Sequence, residues 1–138
     1  SENISGFAVD DATGALAAVP GSPLALAGGS APQGSAGTPN GLFLYVTLSV
    51  PNEVQRLEVN GATGELTIVL GSTFSTGMYP DGCTVHPSGG FLMVCNYNDD
   101  TLSVYTIDGV GDLLPVVGSP FGTGSAPHEV LVVSLPAP

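Results

Sequence analysis

Residues 82–127, GCTVHPSGGFLMVCNYNDDTLSVYTIDGVGDLLPVVGSPFGTGSAP, decide the fold. Short apolar runs alternate with turn residues throughout. GCTVH (82–86) predicts a first strand, and PSGG a tight turn in which Gly supplies a positive φ. FLMVCNY (91–97) predicts a second strand. NDD turns the chain into TLSVYTID (101–108), a third, and GVGD leads to LLPVV (113–117), a fourth. GSPFGTGSAP then reads as the crossing from the outer strand of one unit to the inner strand of the next, with Phe121 anchoring it. No useful stretch has the 3.6-residue spacing and caps of a helix.

The same unit is written more than once. TPNGLFLYVT (38–47) aligns with HPSGGFLMVC (86–95), and VQRLEVNGATGELTIVLGSTF (54–74) with LSVYTIDGVGDLLPVVGSPF (102–121). SGFAVDDATGALAAVPGSPL (5–24) matches that stretch again. A period of about 47–50 residues with four short strands marks a β-propeller blade. The predicted fold is therefore all-β, built of four-stranded antiparallel blades. The boundaries are a partial blade at 3–34, blades at 35–81 and 82–128, and the first strand of a further blade at 129–134. That makes about eleven strands, or about 2.75 blades, fewer than the roughly four to eight that close a ring. Four alternatives follow from an incomplete ring: a closed homo-oligomer, a filament, a fragment of a longer protein, or a different compact monomer.

Composition excludes some functions. The chain has 138 residues, 43% hydrophobic and 9% charged, with Arg56 its one cation and a formal net charge of -11. No basic patch exists for nucleic acid, and anionic membranes and phosphorylated substrates are disfavoured. No apolar run approaches the roughly 20 residues of a membrane span. SENISG lacks the basic or apolar start of a signal peptide, so the chain reads as cytosolic or as a processed mature form. The lack of Lys and the Ser/Thr/Gly-rich surface point to a secreted or cell-surface protein. Asn3 to Ser5 form an N-glycosylation sequon.

HPSGGFLMVCNYNDDTLSVYTID, ATGEL and GSPFGTG resemble the repeats of lactonase-type, YVTN-like β-propeller proteins. That group includes propeller 6-phosphogluconolactonases and carboxymuconate lactonising enzymes. The resemblance covers nearly the whole chain and implies seven blades. It also implies an active-site region bearing Pro-Arg-His, with arginines that hold acidic substrates. Here the matching stretch is Pro127-His128-Glu129. The family's Arg position holds His128 and its His position holds Glu129. The sister units place Asp81-Gly82 and Gln33-Gly34 there. The motif therefore departs residue by residue, and no catalytic residue is assigned. His128 and Glu129 remain weak ligand candidates.

Other residues carry smaller expectations. A turn centred near Gly89 sets Cys83 opposite Cys95, giving either a disulfide or two buried thiols. Asn96, Asn98 and Asp100, with Asp99, loosely resemble a calcium loop but lack its Gly and distal Glu. A strand-connecting turn is the simpler reading, and no metal or cofactor is expected. His86, before a turn, reads as structural. Phe7, Phe43, Phe74, Phe91, Phe121, Tyr45 and Tyr105 are expected to pack between strands or blades. Ile4, Phe7, Val9, Val130 and Val132 are the expected assembly edges.

The leading functional expectation is a non-catalytic extracellular protein that self-assembles through blade faces and strand edges, its partner being itself. A propeller module binding a small molecule or glycan stands second. A lactonase-like hydrolase or isomerase stands third.

Overall fold

The computed structural model describes residues 2–133, which form strands and turns, with no helix among them. The N-terminal part holds four short strands, β1 (Asn3–Ile4), β2 (Phe7–Val9), β3 (Leu16–Ala18) and β4 (Leu24–Ala25). β1 pairs with β4 and β2 with β3, both antiparallel. A four-stranded meander follows: β5 (Pro32–Gly37), β6 (Phe43–Leu48), β7 (Glu53–Val59) and β8 (Leu66–Ser75), in that spatial order. The next sheet repeats it with β9 (Pro80–Val85), β10 (Phe91–Asn96), β11 (Thr101–Ile107) and β12 (Leu113–Pro115). A last strand, β13 (Phe121–Gly122), returns to pair with β11. These antiparallel sheets are propeller blades, and no sheet closes on itself. They begin at Pro32 and Pro80, where residues 35 and 82 were expected.

The turns recur because one side chain in each makes them. The Oδ1 atom of Asp10 accepts the N–H groups of Ala12 and Thr13, at 3.1 and 2.8 Å. Asn60 does the same for Ala62 and Thr63, at 3.0 and 3.2 Å, and Asp108 for Val110 and Asp112, both at 2.9 Å. A short carbonyl-bearing side chain thus replaces the backbone acceptor that a turn lacks.

The stretches read as crossings do cross, but only in their second halves. After the Gly-Ser-Pro turn, β4 and β13 run back along the third strand of their own unit, and β8 does so without interruption. The serine explains the detour. Gly6 N–H donates to Ser22 Oγ at 3.0 Å and Val104 N–H to Ser119 Oγ at 2.8 Å. In the middle unit the β7–β8 register shifts between Gln55 and Leu57, and Ser72 Oγ donates to the Arg56 carbonyl at 3.0 Å. Each hydroxyl satisfies a backbone group of the third strand where the ladder breaks. The crossings between blades are residues 26–31, 76–79 and 123–126. Phe121, expected to anchor between blades, is 45% exposed, and Phe7 and Phe91 are exposed as well. Tyr45 and Tyr105 are buried as expected, with Phe43 and Phe74 partly buried against them.

The core lies between the two complete sheets and contains Tyr45, Val54, Leu92, Val94, Tyr105 and Leu113. Each such side chain contributes about 1.5–3 kcal/mol on burial. Polar staples cross the same interface. Tyr45 Oη donates to Gly111 O at 2.8 Å and Tyr105 Oη to Ser75 O at 2.7 Å. Arg56, 7% exposed, pairs with Asp112 at 2.7 Å, donates to Val110 O, and lies over the Phe43 ring at 5.5 Å. A second cluster, Val46, Leu48 and Leu57, receives Ile4, Leu24 and Leu26 and so docks the N-terminal strands.

Two sequence expectations are corrected here. The β9–β10 register places Cys83 opposite Val94, not Cys95. The register then shifts between Val94 and Asn96, where Asp81 and Gly82 stand against the single residue Cys95, and both cysteines are free thiols. The expected first strand at 129–134 is not a strand at residues 129–133. Gly82 N–H donates to His128 O at 2.8 Å, after which the segment alternates without a ladder. Val130 and Val132 are half-buried, while Leu131 and Val133 are 82% and 64% exposed. Residue 134 lies outside the described residues.

Candidate site at the mouth of the inner strands

Three inner segments start alike, with Pro32-Gln33-Gly34, Pro80-Asp81-Gly82 and Pro127-His128-Glu129. They converge so closely that two positions require glycine. A Cβ on Gly34 would stand 2.6 Å from Asp81 O, and one on Gly82 would overlap His128 O. Thr47 stitches the first two together. Its Oγ1 accepts Gly34 N–H at 2.8 Å and donates to Asp81 O at 2.6 Å.

This convergence brings Asp81 and His128 into contact. Asp81 Oδ2 and His128 Nδ1 are 2.6 Å apart, with the His128 side chain 68% exposed and that of Asp81 20%. The Tyr97 ring packs on the imidazole at 4.6 Å between centroids, and Tyr79 packs on Tyr97 at 5.8 Å. A carboxylate on Nδ1 selects the tautomer that leaves Nε2 as the basic nitrogen. The pair can therefore accept a proton and return it. Sequence reading missed it because its members are 47 residues apart. One signal was present: each residue directly follows a Pro at the same place in its repeat.

The remaining candidates separate from this pair. Glu129 lines a cavity of about 220 Å³ with Gly34, Ser35, Gly82, Cys83 and Val130. Burial, then the Asp81 and Glu129 carboxylates, raises the Cys95 thiol above its ordinary pKa. Burial, then Cys95, pushes Cys83 up to about 12. Neither thiol has the lowered pKa of a nucleophile.

Asn96, Asn98 and Asp100 do not form a common cage. The buried Asn96 amide is consumed by Thr76, Gly77, Thr101 and Ser103. Asp100 Oδ1 accepts Ala126 N–H, while Asn98 is exposed and its own N–H donates to Met78 O. His86 Nδ1 contacts Ser88 Oγ at 2.8 Å and holds its turn. Of the expected assembly edges, Ile4 packs into the second cluster, Val130 lines the cavity, and Phe7 and Val9 are exposed.

Comparison with known proteins supplies what the geometry alone does not. A family described as "Lactonase, 7-bladed beta-propeller" matches residues 1–128. A 6-phosphogluconolactonase of Blochmanniella pennsylvanica is 31% identical over 98 residues, 71% of this chain. The chain spans 28% of that relative's length. The periplasmic gluconolactonase PpgL of Pseudomonas aeruginosa superposes with a TM-score of 0.79 at 24% identity, over 99% of this chain and 38% of its own. A protein from Lactobacillus plantarum does so with a TM-score of 0.76 at 21% identity, over 88% and 36%. At such identities the two structures establish the fold alone. The family match and the curated relative overturn the expectation of a non-catalytic, self-assembling extracellular protein. They also overturn the leaning against an enzyme and favour the lactonase-like alternative over it.

Proposed function

Because the chain belongs to the lactonase seven-bladed β-propeller family over residues 1–128, we propose that it takes part in the hydrolytic opening of a lactone, with Asp81 and His128 as the acid–base pair. The observation that carries this reading is the 2.6 Å contact between His128 Nδ1 and Asp81 Oδ2 at an exposed mouth. Asp81 orients the ring and steadies its positive charge. His128 Nε2 removes a proton from water as the water oxygen bonds to the lactone carbonyl carbon. The ring C–O bond then breaks, and the imidazolium returns that proton to the departing alkoxide. One water is consumed and a hydroxy acid is formed.

The substrate assigned to this site is an unphosphorylated sugar lactone of the kind named for the Pseudomonas aeruginosa relative. The chain's single cation, Arg56, is buried against Asp112, and the net charge of -11 repels a phosphate dianion. The test is hydrolysis of glucono-δ-lactone followed by proton release. His128→Ala should lower kcat/KM on the order of 10²–10⁴-fold, and Asp81→Asn should also lower it. Raising the ionic strength should speed the 6-phosphorylated lactone and leave the neutral one unchanged. Wild-type turnover by His128→Ala would refute the assignment.

A further inference from the structure

We propose that Asn52 and Asp100 are positioning residues, each bracing the loop that aims one half of the Asp81–His128 pair. The inference rests on the reading of that pair given above. It starts from two unusual backbone conformations. Tyr79 and Ala126 have φ of 54° and 53°, and each directly precedes a proline, Pro80 and Pro127. A left-handed backbone is uncommon outside glycine, and the proline ring pushes the residue before it toward extended conformations. Something must hold these two residues where they are.

In both loops the holder is the same atom of an equivalent residue. Asn52 Oδ1 accepts the N–H of Tyr79 at 2.8 Å, and Asp100 Oδ1 accepts the N–H of Ala126 at 2.8 Å. The backbone carbonyls of the two holders clasp the starts of the loops. Thr76 N–H donates to Asn52 O at 3.0 Å and Thr123 N–H to Asp100 O at 2.8 Å. Asn52 and Asp100 are themselves left-handed, with φ of 57° and 55°, a conformation that Asn and Asp tolerate better than most residues.

Two residues beyond each braced amide stands a member of the pair: Tyr79, Pro80, Asp81 in one loop and Ala126, Pro127, His128 in the other. The first crossing is clasped by Glu2, whose backbone carbonyl accepts Leu26 N–H at 2.8 Å and whose Oε1 accepts Gly29 N–H at 2.5 Å, but there the braced amide lies two residues before the one that precedes the proline. Ala31, with φ of 43°, precedes Pro32 but is held through its carbonyl by Ser49, at 3.1 Å. It leads to Gln33, which is outside the pair. Among these crossings, a side-chain brace on the amide of the residue directly before the proline occurs at the two that deliver Asp81 and His128.

Backbone strain held by an outside bond at the entrance of a site is how pre-organised geometry is maintained. The brace needs a carbonyl-type oxygen on a short side chain, so Asn and Asp should be interchangeable there and Ala should not. The experiment compares Asn52→Ala, Asp100→Ala, Asn52→Asp and Asp100→Asn in the full chain. The first readout is the pair of ring nitrogen signals of His128 in long-range ¹H–¹⁵N spectra, with His86 as the internal reference. The Ala variants should lose the signature of an Nδ1–H bonded to a carboxylate, and the interchanged variants should keep it. The second readout is glucono-δ-lactone turnover. The Ala variants should lose about 10- to 100-fold in kcat with little change in KM, and the interchanged variants should recover it.

Unchanged His128 signals in both folded Ala variants would overturn the inference. So would their loss in a folded Asp100→Asn variant, which keeps the inference testable if an Ala variant fails to fold. If the unsubstituted chain opens no lactone, the acid–base reading fails by itself, and the nitrogen signals still decide whether the braces aim the ring.

Discussion

The amide of Asn96 sits inside the second complete sheet with all of its hydrogen-bonding capacity used. Its Oδ1 accepts from Thr76 Oγ1 at 2.8 Å and Gly77 N–H at 3.1 Å. Its Nδ2 donates to Thr101 Oγ1 and Ser103 Oγ, both at 2.9 Å. Thr76 and Gly77 belong to the crossing from the preceding sheet, so one side chain closes that crossing. Asn96→Ala should cost about 1–3 kcal/mol of unfolding free energy, read by urea titration, because several buried polar groups lose a partner. In the sister unit Leu48 stands at this place and packs into the cluster that holds the N-terminal strands. A sequence reader sees Asn in an Asn/Asp-rich stretch and thinks of a turn or a metal. Its role depends on Thr76, Gly77 and Ser103, which only the fold brings near it.

At the scale of the strand, much was legible. Phe91–Asn96, Thr101–Ile107 and their sister strands fall where apolar alternation and turn residues predict them. The register was not legible. The Leu92–Val85 pairing stands one residue off the register expected from a turn centred at Gly89 and so already sets Cys83 opposite Val94; the later shift absorbs an extra residue at Asp81–Gly82 and leaves Cys95 without a partner. The return of β4 and β13 was hidden as well, because it depends on the hydroxyls of Ser22 and Ser119 meeting amides 16 and 15 residues away.

Cys83 packs against the core cluster that contains Tyr45. Burial pushes both up to about 12, from 9.0 and 10.0. Each group then holds its proton more tightly in the folded state than in the unfolded one. Stability is undiminished below about pH 9 and falls as pH rises toward 12. Melting temperature against pH should show this decline, and Tyr45→Phe should make it shallower. The same burial predicts that iodoacetamide leaves both cysteines unlabelled at pH 7 and labels both in concentrated urea.

For the whole molecule, the decisive feature is the convergence of the inner segments. Gly82→Ala would drive a methyl group into the His128 carbonyl and separate the segment carrying Asp81 from the one carrying His128. It should lower stability by about 2–3 kcal/mol, with a larger effect on lactone turnover than on melting temperature. The repeat made the blades readable, and it also placed Asp81 and His128 at equivalent positions. It did not reveal that the two meet, because equivalent positions in neighbouring blades touch only when the strands crowd at their starts. The contacts between blades also differ greatly in strength along the chain. The two complete sheets share a packed core and the Tyr45, Tyr105 and Arg56 staples, whereas the N-terminal strands are held chiefly by Ile4, Leu24 and Leu26. Pulled from its two ends, the chain should therefore yield unevenly. A short, low-force extension as the N-terminal strands peel away should precede a longer, higher-force rupture of the stapled pair, and single-molecule traces should record the steps in that order.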